Sequence, residues 1–280
     1  MKKTKIVIPA LGLLLLSTAA SVTGTVAWFS ANTSVNVSGM TVTTKVSGNI
    51  LIATNNSSDD YYSTTDLSQN NGGILMPSST VNGTSYFYTK DAVKGDGSTE
   101  STALQTYTND AAVATYYGVA NSKVFADYDF YLKVTTADPS EKLTLSAIDF
   151  KYDGAALGAN DKAWRVAVFA DKVIEGDNNA IANPTLVTIL RPSGALYFET
   201  GKAISSAAAN RTAVNSLDTA SLIETIANPG TIQRYKIKVR LWLEGEDTKC
   251  TNDTYATLTE DYTLDLTCSL GTAATSVSNI

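Results

Sequence analysis

Apolar and polar positions alternate along much of this chain, and the period is two far more often than 3.6. Between Ile232 and Leu243, the residues Tyr235, Ile237, Val239, Leu241 and Leu243 share one side, while Lys236, Lys238 and Arg240 take the other. Tyr128, Phe130, Leu132 and Val134 repeat the pattern, as do Trp164, Val166, Val168 and Ala170. Each run predicts a strand with one face turned to a core. Leu143, Leu145 and Ala147 predict another, which continues towards Phe150 and Tyr152 through an irregularity. Further strands are read at Leu186 to Leu190, at Leu196 to Phe198, and from Tyr262 through Leu264 and Leu266 to Cys268. Near the start, Val35, Val37, Val42, Val46, Ile50 and Ile52, broken by Gly39 and Gly48, read as two short strands with a bend.

Residues 54–122 interrupt this regularity. Asn55-Asn56-Ser57-Ser58-Asp59-Asp60, Asn70-Asn71-Gly72-Gly73 and Lys94-Gly95-Asp96-Gly97-Ser98 are turn and loop signals. Tyr61, Tyr62, Tyr86, Phe87, Tyr88, Tyr107, Tyr116 and Tyr117 are scattered among them. The stretch is read as a long decorated insertion, partly hairpin, on the surface of a sandwich. In the Ala-rich residues 203–228, Asp218 is placed to cap a short helix containing Leu222, Ile223 and Ile226, stopped by Asn228-Pro229-Gly230. The predicted fold class is all-β: an antiparallel β-sandwich or jelly roll with one loop-rich insertion and at most one or two short helices. No repeat of solenoid or propeller length recurs.

The first residues follow a different rule. Lys2, Lys3 and Lys5 precede an apolar run from Ile6 to Leu16, and small residues through Ser17, Ala19, Ala20 and Ser21 follow. That is the pattern of an export signal, and the run is short for a membrane span. Residues 1–27 are read as a signal peptide and 28–280 as a single jelly-roll-like domain. Cleavage is expected between Ala27 and Trp28, with Thr18-Ala19-Ala20 as a competing site. A retained anchor, or a pilin-type leader cut near Gly12, are the alternatives.

Composition then narrows the chemistry. The 280 residues include no histidine, which excludes Ser-His-Asp triads, Cys-His dyads and histidine zinc sites. Removing residues 1–27 leaves 18 basic against 27 acidic side chains, a net charge of −9. Such a surface does not seek nucleic acid or anionic lipid by bulk electrostatics. Glu244, Glu246 and Asp247 cluster after the clearest strand and are weak candidates for a calcium site, set against a solvated turn. Cys250 and Cys268, the only cysteines, are expected to form a disulfide across the last hairpin; two buried free thiols or a metal pair are the rivals. A carboxylate pair for glycoside hydrolysis has no motif behind it. Tyrosines of the insertion could offer a sugar-stacking platform or simply pack.

The segment Gly24-Thr25-Val26-Ala27-Trp28-Phe29-Ser30 resembles the signal junction of the TasA/camelysin family of bacterial surface and biofilm-matrix proteins, and Trp242-Leu243-Glu244-Gly245-Glu246-Asp247-Thr248-Lys249-Cys250 resembles a C-terminal segment of related uncharacterised chains. The resemblance covers roughly the first 50 residues and residues 232–268. It implies a jelly-roll subunit released by a signal peptidase of the SipW type. It also implies assembly into extracellular fibres, an N-terminal segment completing the sheet of the next copy. Trp28, Phe29, Val35 and Val37 would form that assembly strand, in cis or in trans. The expectation is therefore an exported, non-enzymatic surface or matrix protein whose partners are copies of itself or related subunits, with no cofactor beyond the calcium alternative. The second expectation is a surface adhesin or carbohydrate-binding module that uses the Tyr-rich insertion.

Overall fold

A computed structural model describes residues 35–36, 41–46, 50–57, 61–62, 64–67, 73–80, 82–89, 105–136, 140–152, 155–157, 163–192, 214–216, 220–226, 230–245, 247, 250 and 262–271. The elements in chain order are β1 (Val35–Asn36), β2 (Thr41–Val46), β3 (Ile50–Ala53), β4 (Thr64–Leu67), β5 (Ile74–Leu75), β6 (Ser79–Thr80), β7 (Tyr86–Tyr88) and β8 (Gln105–Thr106). After them come helix α1 (Asp110–Tyr117), β9 (Ser122–Lys123), β10 (Ala126–Val134), β11 (Lys142–Tyr152), β12 (Ala155–Ala156) and β13 (Trp164–Val173). The remainder are β14 (Leu186–Arg191), β15 (Val214–Ser216), β16 (Ser221–Thr225), β17 (Gln233–Leu243) and β18 (Tyr262–Gly271).

Two large sheets form a β-sandwich. One runs β15-β14-β13-β17-β10-β3, the other β12-β11-β18-β2-β4 with β16 also paired to β11. The long strands at the centre are antiparallel, as alternation predicts, but β18 pairs with β2, β14 with β15 and β5 with β9 in parallel. The inward faces match the sequence pattern closely. Tyr128, Phe130, Leu132 and Val134 meet Tyr235, Ile237, Val239, Leu241 and Leu243 along one sheet. Leu264, Leu266 and Cys268 close the core from the other. The irregularity expected in β11 is a register shift between Leu145 and Ala147 in its pairing with β18. One extra residue there reverses the phase, so Leu143 and Leu145 before it and Ile148 and Phe150 after it all point into the core.

Two local expectations are corrected. Residues Ser221–Thr225 form β16, not a helix. Leu222 is half exposed, and the segment gains its order by pairing with Lys142 to Leu145. Backbone pairing to a long neighbouring strand outweighs the weak helical signal of a segment rich in β-branched residues. The helix lies instead at Asp110–Tyr117, inside the stretch read as insertion. Asn109 caps it by accepting from the Ala112 N–H at 2.9 Å, and Gly118 ends it at φ +73 by donating to the Ala114 carbonyl.

The segment between β3 and β10 does more than decorate. Thr64–Leu67 joins the second large sheet as β4. β6, β7 and β8 make a small antiparallel sheet, and β1, β5 and β9 another. Met76, Tyr86, Tyr88, Val113 and Val124 pack on Ala167, Phe169, Ile189 and Trp242, which point away from the sandwich core. The central sheet is thereby buried on both faces along β13. This explains why Trp164 to Phe169 is continuously buried instead of alternating.

Candidate functional site

The residues singled out for chemistry fare differently. Ala27, Trp28, Phe29, Val37 and Glu246 lie outside the described residues. Val35 falls in β1, where Val35 pairs with Leu75 and Asn36 with Ile74, both antiparallel and within the same chain. Strand β1 is the outermost member of the β1-β5-β9 sheet. On its other side, β5 is occupied: the N–H groups of Ile74, Met76 and Ser78 donate to the carbonyls of Asn121, Lys123 and Leu243.

The solvated turn weighed for the acidic cluster does not describe Glu244 and Asp247. Both are fully buried. Trp242 Nε1 donates to Glu244 Oε2 at 3.2 Å, and Arg165 Nη2 donates to Asp247 Oδ2 at 2.8 Å. Trp242 and Arg165 face one another across β13 and β17, so the turn after β17 folds its carboxylates back onto the sheet they follow. A carboxylate buried without such partners is costly. Among the described residues, no group of three His, Cys, Asp or Glu side chains is placed to hold a metal ion.

Cys250 and Cys268, expected as a disulfide, are instead two free thiols buried in the main core. Cys268 lies on the inner face of β18, with Leu145 and Val46 as its partners in register. Cys250 closes a turn by donating its N–H to the Asp247 carbonyl. Burial pushes the Cys268 thiol up to about 12. Cys250 also moves upward, first through burial and then through the carboxylates of Asp247 and Glu244, with Arg165 opposing.

The charged side of β17 is likewise covered. Arg240 holds both oxygens of Asp127 at 2.7 Å through Nε and Nη2, and its Nη1 donates to the Gly83 carbonyl at 3.1 Å. The guanidinium lies 3.6 Å from the centre of the Phe125 ring. Burial alone would lower the pKa of Arg240, but the hydrogen bonds and charge of Asp127 outweigh it and the net shift is upward. Lys238 bridges Asp127 and Asp129, and Lys236 reaches Asp129 and the Asn179 carbonyl. Arg240 thereby fastens the added layer to the sandwich through Gly83, beside the Tyr86–Phe125 pair, whose centroids are 4.9 Å apart.

Five tyrosines of the 54–122 stretch, Tyr86, Tyr88, Tyr107, Tyr116 and Tyr117, divide into two groups. Tyr86 is buried edge-on against Trp242 at 5.5 Å, and burial raises its phenol well above the ordinary range. Tyr107 packs on Phe125 and donates to Asp110 Oδ1 at 3.0 Å. Tyr117 donates to the Thr89 carbonyl at 3.1 Å. These are packing residues, which the sequence could not distinguish from a binding platform. Tyr88 and Tyr116, edge-to-face at 5.4 Å, border a recess in the described structure. It is an open groove of about 590 Å³ between β8 and α1, lined by Gln105, Thr106, Thr108, Ala111, Ala112 and Thr115 with the two tyrosines. Its signal in the sequence was the polar Gln-Thr-Tyr-Thr run leading into a capped helix.

No protein-family model matches the chain, and no curated protein or solved structure matches it.

Proposed function

We propose that this chain is an exported, non-enzymatic structural protein of a bacterial cell surface or biofilm matrix, which assembles with copies of itself through its N-terminal segment. The observation that carries the reading is the position of β1. Two residues, Val35 and Asn36, sit at the edge of a small sheet, and each pairs with a strand whose opposite side is already filled. An edge slot of this kind accepts an extended segment from the same chain or from a neighbour, with main-chain hydrogen bonds supplying affinity. The sequence upstream, from Trp28 to Ser34, is uncharged and rich in residues suited to a strand.

The slot also sets a requirement. An incoming segment that continues the β1 register meets Pro77 two positions beyond Leu75, and proline has no N–H to donate. Anchoring therefore falls to side chains, and Trp28 and Phe29 are the large apolar residues available for it. The sandwich architecture and the resemblance at the Ala27–Trp28 junction agree with this role.

The test is assembly of the purified secreted chain. Filaments in electron microscopy are expected from the intact protein, and folded monomers from a form lacking Trp28–Val37. Intact protein that stays monomeric at high concentration, across pH and ionic strength, overturns the proposal.

A further inference from the structure

The turn between β6 and β7 holds Asn82-Gly83, a pair with a chemistry of its own that is independent of the N-terminal segment. Glycine has no side chain to hinder its backbone nitrogen, which can attack the amide carbon Cγ of the preceding asparagine. The new N–Cγ bond closes a five-membered succinimide. The Cγ–Nδ2 bond breaks, and ammonia leaves with the proton of the glycine nitrogen. Water then opens the ring at one carbonyl or the other. The products are aspartate, or an isoaspartyl residue that places one more atom in the main chain.

The fold treats the two reacting groups differently. Asn82 is half-buried and Thr84 and Ser85 are exposed, so water reaches the turn. Asn82 Oδ1 accepts from the N–H groups of Thr84 at 3.0 Å and Ser85 at 2.8 Å. Two donors on that oxygen polarise Cγ towards attack, as in an oxyanion site. The nucleophile, by contrast, is withheld. Gly83 gives its N–H to the buried Thr80 hydroxyl at 3.0 Å, and that hydroxyl is anchored by donating to the Ser85 carbonyl at 2.7 Å. On the other side Arg240 holds the Gly83 carbonyl, and a Cβ on Gly83 would lie 3.2 Å from the Phe169 ring and 3.3 Å from Ala167. With φ at +74 and both flanking peptide groups held, the nitrogen is not free to swing onto Cγ.

We infer that Asn82 is a deamidation site gated by the fold: the Thr80 hydroxyl holds the reaction off while the added layer is seated, and opening of the turn lets it proceed with water as co-reactant. The two products then have different consequences. Aspartate at position 82 still offers an acceptor to the N–H groups of Thr84 and Ser85. The isoaspartyl form lengthens the chain between Thr80 and Gly83, so Gly83 cannot keep both Thr80 and Arg240. The contact that fastens the added layer to the sandwich is then lost.

The experiment is incubation of the intact secreted chain at mildly alkaline pH, folded and in denaturing urea, with peptide-mapped mass spectrometry to follow position 82 apart from the other Asn-Gly pair, Asn71-Gly72. Position 82 is expected to react about tenfold or more slowly in the folded chain, because only the open fraction reacts. Thr80→Ala should speed the folded-state reaction by about tenfold over Thr80→Ser, and by more than it speeds hydrogen exchange along β7. Folded chains that carry isoaspartate at position 82 should unfold several degrees below the parent, whereas Asn82→Asp should stay within a few degrees of it. Equal rates in the folded and unfolded parent overturn the inference. So does a gain in Thr80→Ala no larger than its gain in hydrogen exchange, or an isoaspartyl form as stable as Asn82→Asp.

Discussion

Arg165 and Asp247 are 82 residues apart in the chain and both wholly buried, joined by one bond of 2.8 Å. In the sequence Asp247 is one of three acidic residues in a Gly-containing turn, and nothing local separates it from a solvent-facing charge. Its partner is fixed only when β13 and β17 align and the turn folds back. Removing the cation while leaving the carboxylate buried is the costly change: Arg165→Met is expected to destabilise the fold by about 3–5 kcal/mol. Replacing both, as Arg165→Met with Asp247→Leu, should recover most of that loss. Urea unfolding of the two variants and the parent gives the comparison, and equal losses in both would show that the ion pair is not the source. The cysteines carry a second residue-scale prediction. A thiol whose pKa is raised on folding stabilises the fold fully below its unfolded value of 9.0, and that contribution is lost as pH climbs towards the folded value of about 12. Stability should therefore fall as pH rises from the unfolded value of 9.0 towards about 12, because the unfolded chain releases thiol protons that the folded chain retains. Cys268→Ala should show a shallower fall in urea midpoint over that window. Parallel pH profiles for parent and variant would contradict buried free thiols.

At the scale of elements, the long strands were legible because a strand buried on one face writes its own period. The shift in β11 was legible for the same reason: the apolar phase changes between Leu145 and Ile148. Helix α1 was overlooked although Asn109 and Gly118 bracket it, because Ala-Ala-Val-Ala-Thr-Tyr-Tyr has no apolar stripe and buries only Val113. The caps do the work that amphipathicity usually does. Asn109→Ala is accordingly expected to cost about 1 kcal/mol, measured by chemical denaturation, and to increase hydrogen exchange along residues 110–117. An unchanged exchange rate would mean that the packing of Val113 alone holds the helix. Gly118 sits at φ +73 with nothing within 4 Å of where a Cβ would lie. There the cost of Gly118→Ala is backbone strain alone, about 1 kcal/mol.

At the scale of the molecule, the sandwich could be read from the chain but its third layer could not. The Tyr-rich stretch carries no strong period of its own, since its strands are two or three residues long and owe their order to Ala167, Phe169, Ile189 and Trp242 on β13, β14 and β17. Alternation on β13 predicts a single inward face, and the second apolar face there is visible only once the added layer is in place. The groove belongs to this same layer, built from β7, β8 and α1, so residue order shows the polar run that leads into it but not its lining. The assembly proposal rests on the edge of another small sheet in that layer, where the N-terminal strand lies against β5.

That pairing offers the most direct test. The Ile74 N–H is given to Asn121, so Asn36 and Ile74 face one another as a non-hydrogen-bonded antiparallel pair, with Cα atoms about 4.5 Å apart and well suited to a disulfide. A chain carrying Asn36→Cys and Ile74→Cys, oxidised after concentration and run on a denaturing gel without reductant, reports which copy supplies the strand. Assembly through the N-terminal segment yields a ladder of covalently linked dimers and higher species that collapses on reduction. A single band of monomer, with the bond closed within each chain, would contradict it.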